Sequence, residues 1–121
     1  MNVVVKLLVV SINWMDSNYY TVLEDGEIPE EKIVPSDVNQ PSKISLDMAE
    51  EIVPVSKNWM NTDIVSTYYS EDKLNIVYRI IIPHDPELKL STGCEWVNIK
   101  KFYSEDQYLK EALEKAIRGI V

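Results

Sequence analysis

The sequence predicts a single α/β domain whose sheet is covered by helices on both faces, and three observations predict it. Strand-like stretches alternate with two amphipathic segments that have helical spacing. One strand of a central hairpin is apolar on both of its faces, as expected of a strand covered from two sides. The chain of 121 residues is long enough for one core but short for two ordinary domains, so one domain spanning residues 1–121 is expected.

The first strand is expected at Val3 to Ile12 and the second at Tyr19 to Leu23, both rich in β-branched and aromatic side chains. Asp25-Gly26 marks a turn. From Glu24 to Pro41 the chain is acidic and broken by Pro29, Pro35 and Pro41, with only Lys32 to Val34 looking extended, so this stretch reads as a long loop. Between Ser42 and Ile52 the residues Ile44, Met48 and Ile52 recur every four positions beside Ala49, which predicts a short helix capped by Ser42 and stopped by Pro54. At 100° per residue Asp47, Glu50 and Glu51 share another side of that helix.

A hairpin follows, with strands at Asp63 to Tyr69 and Leu74 to Ile82 about a turn at Ser70-Glu71-Asp72. Val77 and Ile81 make the second strand apolar on both faces, with Arg79 as the polar exception. Pro83 to Thr92 reads as loop, and Cys94 to Asn98 as a short strand. Ser104 and Gln107 have capping-box spacing, and Leu109, Ala112, Leu113, Ala116, Ile117 and Ile120 form the stripe of a last amphipathic helix.

Composition excludes several function classes. Apolar residues make up 45% of the chain and charged ones 26%, which is the profile of a folding domain. Twenty acids against 12 bases give a net charge of −8, which repels phosphate backbones and argues against a nucleic-acid partner. The same charge suits metal-chelated ligands, a basic protein partner or plain solubility, of which the last is the commonest reason for such a charge. The run from Val3 to Val10 is far shorter than the roughly 20 residues that cross a bilayer, so no membrane association is expected. Cys94 is the one cysteine and has no internal partner for a disulfide, which fits a reducing cytoplasmic setting. It reads as a small core residue, because the adjacent Glu95 opposes thiolate formation. His84 is the one histidine, so there is no histidine metal cluster, and three glycines cannot build a phosphate-binding loop.

The aromatic residues Trp14, Trp59, Tyr19, Tyr20, Tyr68 and Tyr69 are expected mainly in core and rim packing, with base stacking or a protein interface as the alternative.

This order of elements resembles the Nudix hydrolase fold over nearly the whole chain. Its sharpest point is Leu46-Asp47-Met48-Ala49-Glu50-Glu51-Ile52-Val53, where the family writes Arg-Glu-apolar-x-Glu-Glu-x-Gly. Cys94-Glu95-Trp96-Val97 is similar to the family's Glu-x-Trp-Val strand, and Ile33-Val34-Pro35-Ser36-Asp37 to its Leu-Pro-Gly-Gly stretch. The resemblance implies an α/β/α sandwich with a mixed sheet and two main helices. It also implies Mg²⁺ or Mn²⁺ held by Asp47, Glu50 and Glu51, with Glu50 and Glu51 as the catalytic carboxylates acting on a nucleotide-like diphosphate. The box departs from the family where Leu46 replaces arginine, Asp47 replaces glutamate and Val53 replaces glycine, and its upstream part is altered, with Val38 and Lys32 at the corresponding spacing. The functional expectation is therefore a non-catalytic or weakly catalytic domain that binds a small molecule or a protein. The alternatives are a Mg²⁺-dependent hydrolase of nucleoside diphosphate linked compounds and an acidic protein-interaction module.

Overall fold

The computed structural model describes residues 2–33, 40–56, 58, 60–83, 88–102 and 104–118. The strands are β1 (Asn2–Asn13), β2 (Asn18–Glu24), β3 (Glu30–Ile33), β4 (Thr62–Ser70), β5 (Lys73–Ile81) and β6 (Cys94–Asn98). The helices are α1 (Pro41–Ile52) and α2 (Gln107–Arg118), and a short 3-10 turn, Ile99–Lys101, follows β6. Among the described residues, no helix is long and apolar enough to cross a membrane.

The six strands form one mixed sheet, five of them in the order β4-β5-β1-β2-β6 and β3 beside β1 off this path. β1 runs parallel to β5 along nearly its whole length, from Asn2 opposite Lys73 to Val10 opposite Ile81. Its other edge is divided. β3 pairs antiparallel with Val3 to Lys6, and β2 pairs antiparallel with Val10 to Asn13. The expected long loop thus contains a strand at Glu30–Ile33, which begins earlier than its apolar residues indicated because Glu30 and Glu31 pair with Lys6 and Val5.

Strand alternation sorts the core into two layers. Val5, Leu7, Val9, Tyr78 and Ile80 pack against Ile44, Met48, Ala49 and Ile52 of α1. Leu8, Val10, Tyr68 and Val77 pack against Leu109, Ala112, Leu113 and Ala116 of α2. β5 presents Tyr78 and Ile80 to the α1 layer and Val77 to the α2 layer, which explains its two-faced apolar pattern, although Ile81 at its end is 49% exposed.

The turns obey local chemistry. Ser70 pairs with Lys73, so Glu71 and Asp72 form a two-residue hairpin loop, and both take the positive φ (55° and 61°) that such a loop requires. Asp25 and Gly26 do the same at 51° and 85°, closed by hydrogen bonds between Glu24 and Glu27 in both directions. Two helix caps differ from expectation. Gln40, not Ser42, precedes α1, with Pro41 as the first helical residue, where its missing N–H costs nothing. At α2 the cap is Asp106, whose Oδ1 accepts from the N–H groups of Tyr108 and Leu109 at 3.0 and 3.3 Å. Ser104 instead accepts from the Asp106 N–H at 3.1 Å.

Candidate functional site

The α1 helix exists because its apolar residues meet the sheet, and that packing fixes where its carboxylates point. Ile44, Met48, Ala49 and Ile52 are buried, Asp47 is half-buried, and Glu50 and Glu51 are exposed. Leu46 is half-buried and packs against the α1-side core, which widens the apolar stripe. The helix stops at Val53, an extended residue (φ −113°, ψ 139°) whose N–H reaches the Ala49 carbonyl at 2.9 Å. No left-handed residue is needed at this end, so a buried β-branched side chain fits where a glycine would be required by a left-handed cap.

Of the three carboxylates on α1, Glu51 borders a hollow of about 170 Å³ beside the helix. Met48, Ile52 and Pro29 border the same hollow, together with Glu24 from the end of β2 and Glu30 and Glu31 from β3, of which Glu30 stands opposite Lys6 and so directs its side chain to the other face of the sheet. Glu24 and Glu31 face the α1 side, because Glu31 stands opposite Val5 and Glu24 opposite Cys94, and cross-strand partners share a face. Asp47 and Glu50 do not line this hollow among the described residues, and each has an interaction with a neighbour.

The structure therefore groups Glu51 with Glu24 and Glu31, two residues that helix periodicity did not nominate. Their signal was the division of the β1 edge between β2 and β3, which brings the ends of those strands beside α1 and has no counterpart in local sequence.

These side chains do not fit a divalent ion as they are placed. Among the described residues, no three His, Cys, Asp or Glu side chains converge closely enough to hold a metal. Hard cations take six or more oxygens at short range, so a looser ring of carboxylates is a negatively charged rim and not a built metal centre.

Cys94 is half-buried, with its sulfur 3.3 Å from Ser91 Oγ and 3.9 Å from Glu24 Oε2, in keeping with a small packing residue. Trp96 lies on β6 and packs on the α1-side core. The aromatic expectation holds for Tyr68, which is buried, whereas Trp14 is 73% and Tyr69 64% exposed. His84, Trp59, Val38 and the segment Val34-Pro35-Ser36-Asp37 lie outside the described residues.

No protein-family model matches the sequence, and no curated protein matches it. Solved structures do match. An Ap4A hydrolase of C. elegans aligns over 93% of each chain at 11% identity with a TM-score of 0.65. The NUDIX domain of Shewanella oneidensis NrtR, solved with ADP ribose, aligns over 93% of this chain and 86% of that one, at 12% identity and a TM-score of 0.65. The C-terminal domain of mouse MUTYH, solved in complex with human PCNA, aligns over 95% and 86%, at 12% identity and a TM-score of 0.71. At such identities the likeness is one of architecture, and together with the mixed six-stranded sheet between two helices it establishes that this chain has a Nudix-like fold.

Proposed function

We propose that this chain is a Nudix-like binding domain with little or no hydrolytic turnover, which takes a metal-chelated nucleotide-like diphosphate or a basic protein segment at the hollow beside α1. The supporting observation is that α1 brings Glu51 alone to that hollow, where it meets Glu24 and Glu31 without forming a metal-holding set. A bare diphosphate would be repelled by three carboxylates, so the ligand must bring its own cations or be cationic itself. Leu46 and Val53 point the same way: an apolar side chain packed on the core cannot orient a catalytic glutamate as an arginine does. Two of the similar folds were solved with partners, ADP ribose in one and a protein in the other.

A second reading, a Mg²⁺- or Mn²⁺-dependent hydrolase of nucleoside diphosphate linked compounds, rests on Asp47, Glu50 and Glu51 as the acid cluster that survives on α1. Titration calorimetry with Mn²⁺, followed by a phosphate-release screen over nucleotide sugars, dinucleoside polyphosphates and ADP-ribose, separates the two. The binding reading expects ligand-dependent heat without product. Metal-dependent turnover that is lost in Glu50→Gln or Glu51→Gln would overturn it. For a basic protein segment, capture that weakens steeply as salt rises is the expected result.

A further inference from the structure

We propose that a second ligand site lies on the opposite face of the sheet, under the start of α2, and takes a short peptide bearing a free carboxylate and a basic side chain. It shares only Glu30 with the hollow beside α1 and does not rest on the function proposed for that hollow.

An open trough of about 780 Å³ lies there, bounded by β1, β5 and the first turn of α2. α2 covers Leu8, Val10, Val77 and Tyr68 and leaves the earlier rows of β1 and β5 as a polar floor. Lys6, Lys73 and Asn75 form that floor. Both lysines are half-buried, and among the described residues neither has an ion-pair or hydrogen-bond partner, in a chain with 20 carboxylates. Glu30 stands directly across from Lys6 on β3 without closing to ion-pair distance. Asn75 is 4% exposed, and its NH₂ group is committed to the carbonyls of Tyr68 and Lys73 at 3.4 and 3.3 Å. Among the described residues its carbonyl oxygen accepts no hydrogen bond, and the residue borders the trough. Two cations beside a buried, open acceptor are the groups that receive a carboxylate and a peptide N–H.

The rim has the opposite character. Tyr108 is 52% exposed, and its ring is fixed by stacking on Tyr68, with centroids 5.1 Å apart and planes 16° from parallel. One face of a fixed ring beside Glu105, in a trough whose lining also holds Glu27, Glu30 and Glu71, suits a guanidinium or ammonium group. The helix end itself repels an inorganic anion, because the Asp106 carboxylate already accepts its first N–H groups. A bare anion is therefore opposed by the carboxylates of the lining and a bare cation by its two lysines, whereas a peptide with both signs can satisfy both. Lys73 stands opposite Asn2, four residues before Lys6, so the lysines are roughly 13 Å apart along the strands, the reach of a short peptide and not of one amino acid.

The test is an amide-resolved NMR titration of the full chain with N-acetylated Arg-Ala-Gly, with its C-terminal amide, and with its citrulline counterpart. Shifts at Glu27, Asn75 and Tyr108 are expected, with about fivefold weaker binding for the amide and for the citrulline peptide, the worth of a half-exposed ion pair. The double variant Lys6→Gln, Lys73→Gln should lose the preference for the free acid, and Tyr108→Ala the preference for arginine. Equal binding of the acid and its amide by the unaltered protein, or no shift at those three residues at millimolar peptide, would overturn the proposal even if a variant fails to fold.

Discussion

Arg79 of β5 grips Asp63 of β4 with two prongs, Nε at 3.2 Å from Oδ1 and Nη2 at 2.6 Å from Oδ2, while its Nη1 donates to the Ala116 carbonyl of α2 at 2.8 Å. One guanidinium thus ties two strands to the last turn of a helix, where a cation is also favoured by the helix dipole. The Asp63 side chain is 55% exposed and that of Arg79 only 18%, so solvent screens the carboxylate end of the pair more than the buried end. Asp63→Asn should therefore cost about 0.5–1 kcal/mol of unfolding free energy. Arg79→Met should cost more, about 1–3 kcal/mol, because it also strands the Ala116 carbonyl. Denaturant unfolding checks the order, and a larger loss for Asp63→Asn would contradict it.

Tyr68 provides an alkaline signature. Burial raises its pKa above the ordinary 10.0, and the charge of Asp106, to which its hydroxyl donates at 3.1 Å, raises it further. The folded state then favours the neutral phenol. Below the unfolded pKa both states are protonated and the full stability is present, whereas above it the unfolded chain releases a proton that the native protein keeps, so stability falls as pH rises. Tyr68→Phe should lose one hydrogen bond near neutrality, about 1 kcal/mol, and flatten the alkaline decline. Unfolding midpoints measured on both sides of the tyrosine range decide this. An equally steep decline in the variant would show that Tyr68 does not cause it.

Much of the fold was legible in the sequence because each cue was local. The alternation in Leu74 to Ile82 reported a strand between two others, and the spacing of Ile44, Met48 and Ile52 reported a helix seated on a sheet. What was missed depended on the competition between neighbours or on tertiary pairing. Ser104 and Gln107 have capping-box spacing, yet Asp106 takes the cap because its carboxylate also receives the Tyr68 hydroxyl, a partner 38 residues away. Glu30 and Glu31 look like loop residues until β1 pairs with them. The candidate site was half legible for the same reason: Glu51 follows from helix geometry, whereas Glu24 and Glu31 follow from strand order.

The two roles of Asp106 predict a large effect from one surface-proximal carboxylate. Asp106→Ala removes the cap of α2 and the partner of Tyr68 together, and should cost about 1–2 kcal/mol. Ser104→Ala removes one hydrogen bond to the Asp106 N–H and should cost less. Thermal unfolding of the two variants is the check, and a costlier Ser104→Ala would return the cap to the sequence-predicted position.

Gly93 and Gly26 separate backbone strain from crowding. Both have left-handed φ, 86° and 85°, but a Cβ at Gly26 meets open space, whereas one at Gly93 lies 2.9 Å from Asp25 Oδ1. The Asp25 N–H also donates to the Gly93 carbonyl at 2.9 Å, joining the turn after β2 to the start of β6. Gly26→Ala should cost about 1 kcal/mol from backbone strain. Gly93→Ala should cost more, about 1–3 kcal/mol, since Asp25 must also move. Equal losses would mean that the Asp25 carboxylate swings away freely.

The hollow beside α1 makes its own electrostatic prediction, which needs no ligand. Glu51 shares it with Glu24 and Glu31, three like charges with Met48 and Ile52 beneath them, whereas Glu50 does not line it among the described residues. Glu51→Gln should therefore raise the unfolding temperature at low salt. The gain should shrink as ionic strength approaches about 1 M, where the screening length falls to roughly 3 Å. Glu50→Gln should bring no such gain, because that residue has an interaction of its own to lose. A salt-independent gain, or the same gain in both variants, would mean that Glu51 does not feel the carboxylates of β2 and β3, and the hollow would lose its standing as the place where a cation-bearing ligand is drawn in.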